Sequence, residues 1–515
     1  MDEKKAIEVA DLHLEDSHEV AKNSALRADD ELEHQLTVAY VVKHHKTLIW
    51  WTFYWAMCAV GWGFDAQVNG AMISVPAFRR DFGYIFEGEA VLPARWQTAF
   101  NVISTPGQLI GGFLCSSIAD SFGRKNSLLI GIILCTGGII GQLFSATRIA
   151  FLCSKLVLGF GLGFYLTIGP LCTSEVAPVV LRGIATAGVN LGIAIGQLLS
   201  NAAVAGFGER DDQWAYRGPF ALQLLFAVFL LVLLPFAPES PWWLVKKGKI
   251  EQAKKALEKL YGANVDIDNK LAALQSTVSN ETRDGEVNFV DCFKGTNRIR
   301  TFISMGVFAC QHLVGIIFVL GYSTYFFQLA GLDDSNSFGL GVGVTACGVT
   351  GNLVSWFVIN NVGRRKLFVG GMVALTAMLL LIGIMDVVPT AGAKWAQSAI
   401  TVVWAFVYFM TIGAMAFAIL GETSNTSLRA HTAALATATQ AVFGLAMNFA
   451  IPYMVNPDEG NLKGKVGFIF GGLGALATIW AWFFVPELKG RTFDEIDRMF
   501  SDRIPPRKMG THVLL

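Results

Sequence analysis

The chain has 515 residues, 53% of them hydrophobic and only 16% charged, where an average soluble domain carries about 25% charged residues. Forty basic residues balance forty acidic ones, which leaves no global basic field to draw nucleic acid. The eight cysteines are scattered singly, without the CxxC or Cys/His spacing of a metal site or a disulfide framework.

Residues 1–46 are polar and rich in Asp, Glu and His. They lack an apolar signal-peptide core and read as a cytoplasmic tail. Twelve apolar segments follow, each near the roughly 20 residues that a spanning helix needs. They cover 48–71, 97–118, 126–146, 150–173, 184–206 and 217–236, then 301–329, 337–360, 367–388, 396–420, 430–454 and 465–486. We number them spans 1 to 12. The expected fold is an all-α membrane protein with twelve transmembrane helices in two six-helix, pseudo-symmetric halves, 47–244 and 300–488. Between the halves, residues 245–299 are charged and amphipathic and predict a cytoplasmic helical linker. Residues 489–515 form a C-terminal tail.

Lys and Arg in short loops set orientation. Lys43, Lys46, Arg124, Lys125, Arg182, the Lys-rich linker, Arg364, Arg365, Lys366, Arg429 and the basic C-terminus all fall on one side. Both termini are therefore expected in the cytoplasm. The first outer loop, 73–95, holds Arg79, Arg80 and Arg95 as a tolerated exception. Glycosylation patterns at Asn280 and Asn425 fall on the inner face and are expected to stay unmodified.

The two halves carry matched marks in the same order. "ADSFGRK" (119–125) follows span 2, and "NVGRRKL" (361–367) follows span 8. Glu175 and Arg182 bracket the turn between spans 4 and 5, as Glu422 and Arg429 bracket the turn between spans 10 and 11. Pro238-Glu239 closes span 6, and Pro486-Glu487 closes span 12. A recurrence of this kind is the mark of a duplicated half. Asp120, Arg124, Glu175, Arg182, Glu239, Arg364, Glu422, Arg429 and Glu487 are thus candidates for a cytoplasmic gate, in which pairs between helix ends hold that side shut. The bland alternative is that these charges set topology and anchor helix ends.

These motifs, with "GFD" in span 1, "SEVAPVVLRG", "GQLL", "PESPWWLV" and "VPELKGRTFDEIDRMF", resemble the sugar-porter branch of the major facilitator superfamily from about residue 48 to 502. "GYSTYFFQLAG" and "PYMVNPDEGNLKGKVGFIFGG" are most similar to the fungal maltose and α-glucoside permeases and their relatives. The resemblance implies a central site between the halves and alternating access. It also marks departures: Ser116 for the usual Gly, Asn360 for Asp, Lys155 for Arg, His312 for Gln and Ile317 for Asn.

Asp65 is a carboxylate inside a spanning segment, which is costly and points to function. The resemblance pairs it with Lys155, as a proton-coupling site or else a structural ion pair. It also places Gln197, Gln311 and Gln440 on the sugar, with Asn190 at a position that is usually an amide. Side-chain amides suit sugars because they both donate and accept hydrogen bonds; the alternative for each is an interhelical hydrogen bond. His312 completes the polar set, and Trp62, Tyr322 and Phe417 are candidate aromatic walls.

The function expected is secondary active transport of a sugar (a hexose or an α-glucoside-like disaccharide) or a related polyol, by proton symport. The alternatives are a proton-independent facilitator or exporter of a non-sugar metabolite, or a nutrient sensor. There is no phosphate-cradling G-x-x-x-x-G-K-[ST] loop and no catalytic constellation, so no enzyme and no cofactor are expected, with a proton as the coupling ion. The expected partners are a small-molecule substrate and the lipid bilayer, with the protein a monomer in the plasma membrane.

Overall fold

The computed structural model describes residues 43–510 apart from 177–178, 263–265, 284–288, 389, 426–427, 490 and 492. The side chains of 179–187, 277, 279–283, 360, 430 and 493–494 also lie outside the description. The sequons at Asn280 and Asn425 and nearly all of the 1–46 tail fall wholly or partly on those residues.

Helices occupy each expected span. Span 1 is Lys46–Met72, span 3 Arg124–Phe144, span 4 Arg148–Val176, span 5 Val179–Phe207 and span 6 Trp214–Leu233. Span 8 is Asp334–Val362, span 9 Arg364–Val387, span 11 Arg429–Val455 and span 12 Val466–Phe484. Three spans are interrupted. Span 2 breaks at Ile103 into Ala94–Val102 and Ser104–Phe122. Span 7 runs through Asn297–Leu313, a π-helical turn at Ile317–Gly321 and Ser323–Leu329. Span 10 contains a π-helical turn at Phe409–Gly413.

Ten of the described helices are long and apolar enough to cross a membrane by length and composition. Spans 1 and 7 are not among them, and each has a physical reason. Span 1 adds Asp65, Gln67 and Asn69 to a stretch already rich in Trp50, Trp51, Tyr54, Trp55 and Trp62, whose polar ring atoms lower its apolar character before the acid is reached, and span 7 is divided so that no single helix reaches spanning length.

The segment between spans 1 and 2 is ordered. A short helix, Pro76–Phe82, leads into strands β1 (Tyr84–Phe86) and β2 (Glu89–Val91), paired antiparallel with Ile85 opposite Ala90. Phe78 and Phe82 sink into an aromatic cluster with Phe100, Phe151 and Tyr216. We call this end of the molecule the hairpin face and the end bearing the Gly-Arg motifs the motif face. At the start of span 8, Asp333 caps the helix by accepting from Asn336 N, and bonding to Asn336 holds its carboxyl below the ordinary range.

On the motif face the linker folds into Pro241–Lys246, Ile250–Tyr261 and Ile267–Arg283. Trp243, Leu244, Val245, Ala253, Leu257 and Leu271 bury a small core of their own. Past span 12, helix Phe493–Ser501 lays Ile496, Met499 and Phe500 against the second half. Arg300, at the start of span 7, pairs with Asp497 at 2.5 Å and stacks over the Phe500 ring.

Candidate functional site: the seam between the halves

The matched motifs fold into two copies of one device. After span 2 the chain turns at Gly123 with φ +95°, and after span 8 at Gly363 with φ +98°. Such angles favour glycine. Glu239 then accepts hydrogen bonds from the backbone N–H of Arg124 (2.9 Å) and Lys125 (3.3 Å). Glu487 does the same for Arg364 (2.9 Å) and Arg365 (3.2 Å). A carboxylate is favoured there because a helix N-terminus presents unpaired N–H groups and positive potential. A Cβ on Gly123 would stand 2.7 Å from Glu239 Oε2, and one on Gly363 2.6 Å from Glu487 Oε2. The glycine therefore serves both the turn and the carboxylate.

The arginines complete each copy. Arg124 donates through Nε and a terminal nitrogen to Glu175, at 3.2 and 2.7 Å, and reaches Asp120 at 3.4 Å. Arg364 makes the same two-pronged contact with Glu422, at 3.0 and 2.7 Å. Two expectations change here. These pairs join helix ends inside one half and do not tie the halves together. Glu422, expected opposite Arg429, is held by Arg364. The spacing along the turn suggested a local pair, but the planar guanidinium at the head of span 9 meets the carboxylate edge on. The Arg182 side chain is outside the described residues, as is that of Asn360.

The opposite end is different, because there the contacts cross between halves. Asn101 in span 2 donates to the Tyr322 hydroxyl at 2.6 Å. Gln97 donates to Asn456 at 2.6 Å, and Tyr325 donates to the same oxygen at 3.0 Å. Arg79 donates to Gln328 at 3.3 Å and lies over the Tyr325 ring, while Tyr84 donates to Asp458 at 2.7 Å. Deeper in, Gln67 donates to the Leu320 carbonyl at 2.7 Å, and Asn201 to that of Gly341 at 2.8 Å. Gly70 lies so close to the Gly321 carbonyl that any side chain there would overlap it. The divided part of span 7 thus plugs the hairpin face against spans 1 and 2, and span 8 meets span 5 beside it. Of these cross-half polar residues, Tyr322 reads from the sequence as an aromatic wall and Arg79 only as an exception to the charge rule; the sequence does not single out the others. Lone amides and one arginine between spans carry no local signal of a partner 140 or more residues away.

Asp65 and Lys155 are both buried, and among the described ion pairs they do not meet directly. Asn69 stands between them. Its side-chain nitrogen donates to Asp65 Oδ2 at 3.3 Å, and its oxygen accepts from Lys155 Nζ. The other carboxylate oxygen accepts from Gln223 Nε2 at 3.2 Å. The expected pair is therefore a bridged pair. The sequence signal was present, since Asn69 follows Asp65 by four residues on one helical face.

The remaining candidates divide. Gln311 and His312 are buried in span 7, and neither imidazole nitrogen of His312 has a hydrogen-bond partner among the described residues. Gly444 of span 11 faces that ring. Asn190, Gln197 and Gln440 are half-buried. Trp62 donates to Gln108 at 3.1 Å, which makes it part of a helix-to-helix contact. Phe417 is half-exposed and meets Phe308 edge to face. Tyr322 belongs to the hairpin-face seal.

Three comparisons bear on this arrangement. A family model described as "Sugar (and other) transporter" matches residues 51–500. The general alpha-glucoside permease of Saccharomyces cerevisiae is 28% identical over 506 residues, covering 96% of this chain and 82% of that one. The MFS transporter fmqE of Aspergillus fumigatus is 29% identical over 512 residues, covering 96% and 95%. Among solved structures, the inward open conformation of the xylose transporter XylE from E. coli superposes with a TM-score of 0.72 at 21% identity, covering 88% of this chain and 99% of that one. A proton:xylose symporter structure of XylE gives 0.68 at 22%.

Proposed function

The chain belongs to the sugar (and other) transporter family, and from that premise we propose that it carries a sugar across the membrane by proton-coupled alternating access. The relatives are permeases and transporters rather than enzymes. The substrate class we infer is a hexose or an α-glucoside such as maltose, in line with the alpha-glucoside permease at 28% identity. The observation that carries the reading is the asymmetry of the seam. Among the described residues, hydrogen bonds cross between halves on the hairpin face, while the Arg124–Glu175 and Arg364–Glu422 pairs each stay within one half. A carrier sealed across the halves at one end is one of the two states that alternating access requires.

In this reading the motif face is cytoplasmic, both termini lie on that side, and the structure is the inward-facing state. The protein works as a monomer in the plasma membrane. It needs no cofactor besides the proton, and its partners are the sugar and the lipid. Asp65 takes the proton, with Lys155 and Gln223 setting its surroundings. Gln197, Gln311, Gln440, Asn190 and His312 meet the sugar. Uptake of labelled maltose, glucose and xylose into transporter-null yeast cells, with and without a protonophore, tests this. Accumulation that the protonophore abolishes is expected. Equilibration that ignores the protonophore would make the protein a facilitator, and uptake of none of the three would overturn the sugar assignment.

A further inference from the structure

Two buried opposite charges in a membrane helix bundle ordinarily meet, because removing one charge from water is costly unless its partner is close. Here an amide intervenes. We propose that Asn69 is a positioning residue for the Asp65–Lys155 pair, holding the two charges one side chain apart so that the carboxylate remains open to a proton. The inference rests on the proton-coupling reading above and names a residue for it.

The geometry is directional. Asn69 presents its N–H to Asp65 and its C=O to Lys155, so each end of the amide dipole faces the charge that it stabilises. An amide does not ionise in this role, so it can link the two charges without taking the proton itself. Coulomb attraction falls with separation. A bridged ammonium therefore supports the ionised carboxylate less than a touching one would. Protonation of Asp65 removes the charge at one end of the bridge, which loosens spans 1 and 4 from each other at this point.

The surroundings fit a proton site with two separate approaches. A small cavity touches Asp65 and is lined by Tyr165, Cys135 and Gln223. A second touches Asn69 and Lys155 and is walled by Phe78, Phe100, Phe151 and Phe220. Asn69 sits on the boundary between them. The titratable groups facing Asp65 are thus Cys135 from span 3, Tyr165 and Lys155 from span 4, with the neutral Gln223 from span 6. The hairpin-face side of Lys155 is walled mainly by aromatic rings, with Met72 and Ile73 beside them. Phe78 belongs to the same short helix as Arg79, which is tied to Gln328 of the other half.

The test is a pH titration of the purified full-length protein in lipid, followed by infrared difference spectroscopy. The carboxylic-acid stretch lost in Asp65→Asn identifies Asp65, away from thiol and phenol bands. In Asn69→Leu, which keeps the volume and removes both bonds, the midpoint of that band should move by about one pH unit toward alkaline. Asn69→Ala, which deletes the spacer and lets Lys155 close on Asp65, should move it the opposite way, toward acid, and carries the test if the leucine variant does not fold. A wild-type midpoint in a folded variant overturns the assignment. Labelled-sugar uptake by the wild type, with and without protonophore, runs in parallel. Protonophore-insensitive uptake overturns the coupling reading, whereas a shifted midpoint beside it still places Asn69 as the residue that positions Asp65.

Discussion

Asn101 donates to the hydroxyl of Tyr322 at 2.6 Å, and the two residues belong to opposite halves of the molecule. The bond is part-buried and lies where span 7 changes from its π-helical turn to its last short helix. It must break whenever the hairpin face opens, so it contributes to the balance between the two states.

Tyr322→Phe removes this bond and little else. A hydrogen bond of this kind stabilises by about 1 kcal/mol, so the ratio of closed to open molecules should fall several-fold. A cysteine introduced at Gln97 should then react faster with a membrane-impermeant maleimide added from the hairpin face. An unchanged labelling rate would mean that Asn101 and Tyr322 do not limit opening.

The glycines of the two motifs make a sharper case. Gly123→Ala places a methyl group against Glu239 Oε2 in a backbone conformation that alanine resists. A cost of about 1–3 kcal/mol is expected, read as a lower melting temperature in detergent. Gly363→Ala should behave alike, because the second copy has the same geometry. Arg364→Ala should slow transport, since it releases Glu422. Wild-type turnover in that variant would remove the Arg364–Glu422 pair from the gate.

The helices were legible in the sequence because a run of about twenty apolar residues has few other uses. The duplicated motifs were legible because glycine, arginine and glutamate recur at matched places. What the charges do was not legible. Glu175 and Glu422 follow the arginines that hold them by 51 and 58 residues, and only packing brings them together. The same holds for Asn69, whose neighbour at i−4 was in view but whose reach to Lys155 across 86 residues was not. The division of span 7 was partly legible: the break falls at Gly315, whose φ of +80° leaves the helical region, but a glycine in an otherwise apolar run is common in a spanning helix.

Asp65→Asn mimics the protonated carboxyl permanently. It should abolish accumulation against a gradient while leaving exchange of labelled for unlabelled sugar. Lys155→Arg should retain accumulation, because it keeps a cation for the Asn69 carbonyl to accept from. Uptake assays with a protonophore separate the outcomes, and an Asp65→Asn variant that still concentrates sugar would move the coupling site elsewhere.

His312 has both ring nitrogens without a partner among the described residues, although it is buried. A buried polar group of this kind costs stability until something meets it. His312→Gln offers one donor group and one acceptor in a similar volume. It should change the KM for maltose and glucose unequally, by several-fold at about 1 kcal/mol per hydrogen bond. Equal KM values in the variant and the wild type would remove His312 from the sugar site.

Among the described spans, 1 and 7 are the two that do not combine spanning length with high apolar content, and each opens its half of the chain. During synthesis each half therefore begins with the helix that lipid holds least. Each must wait in the insertion machinery, or at its edge, until later helices supply partners for its amides and acid. Span 1 finds them in spans 4, 5 and 6, and span 7 finds them partly in the other half. A chain truncated after span 6 should insert its first helix, whereas an isolated second half should leave span 7 poorly inserted. The two elements that depend most on other helices for polar partners are also the ones that lie along the seam in the finished protein.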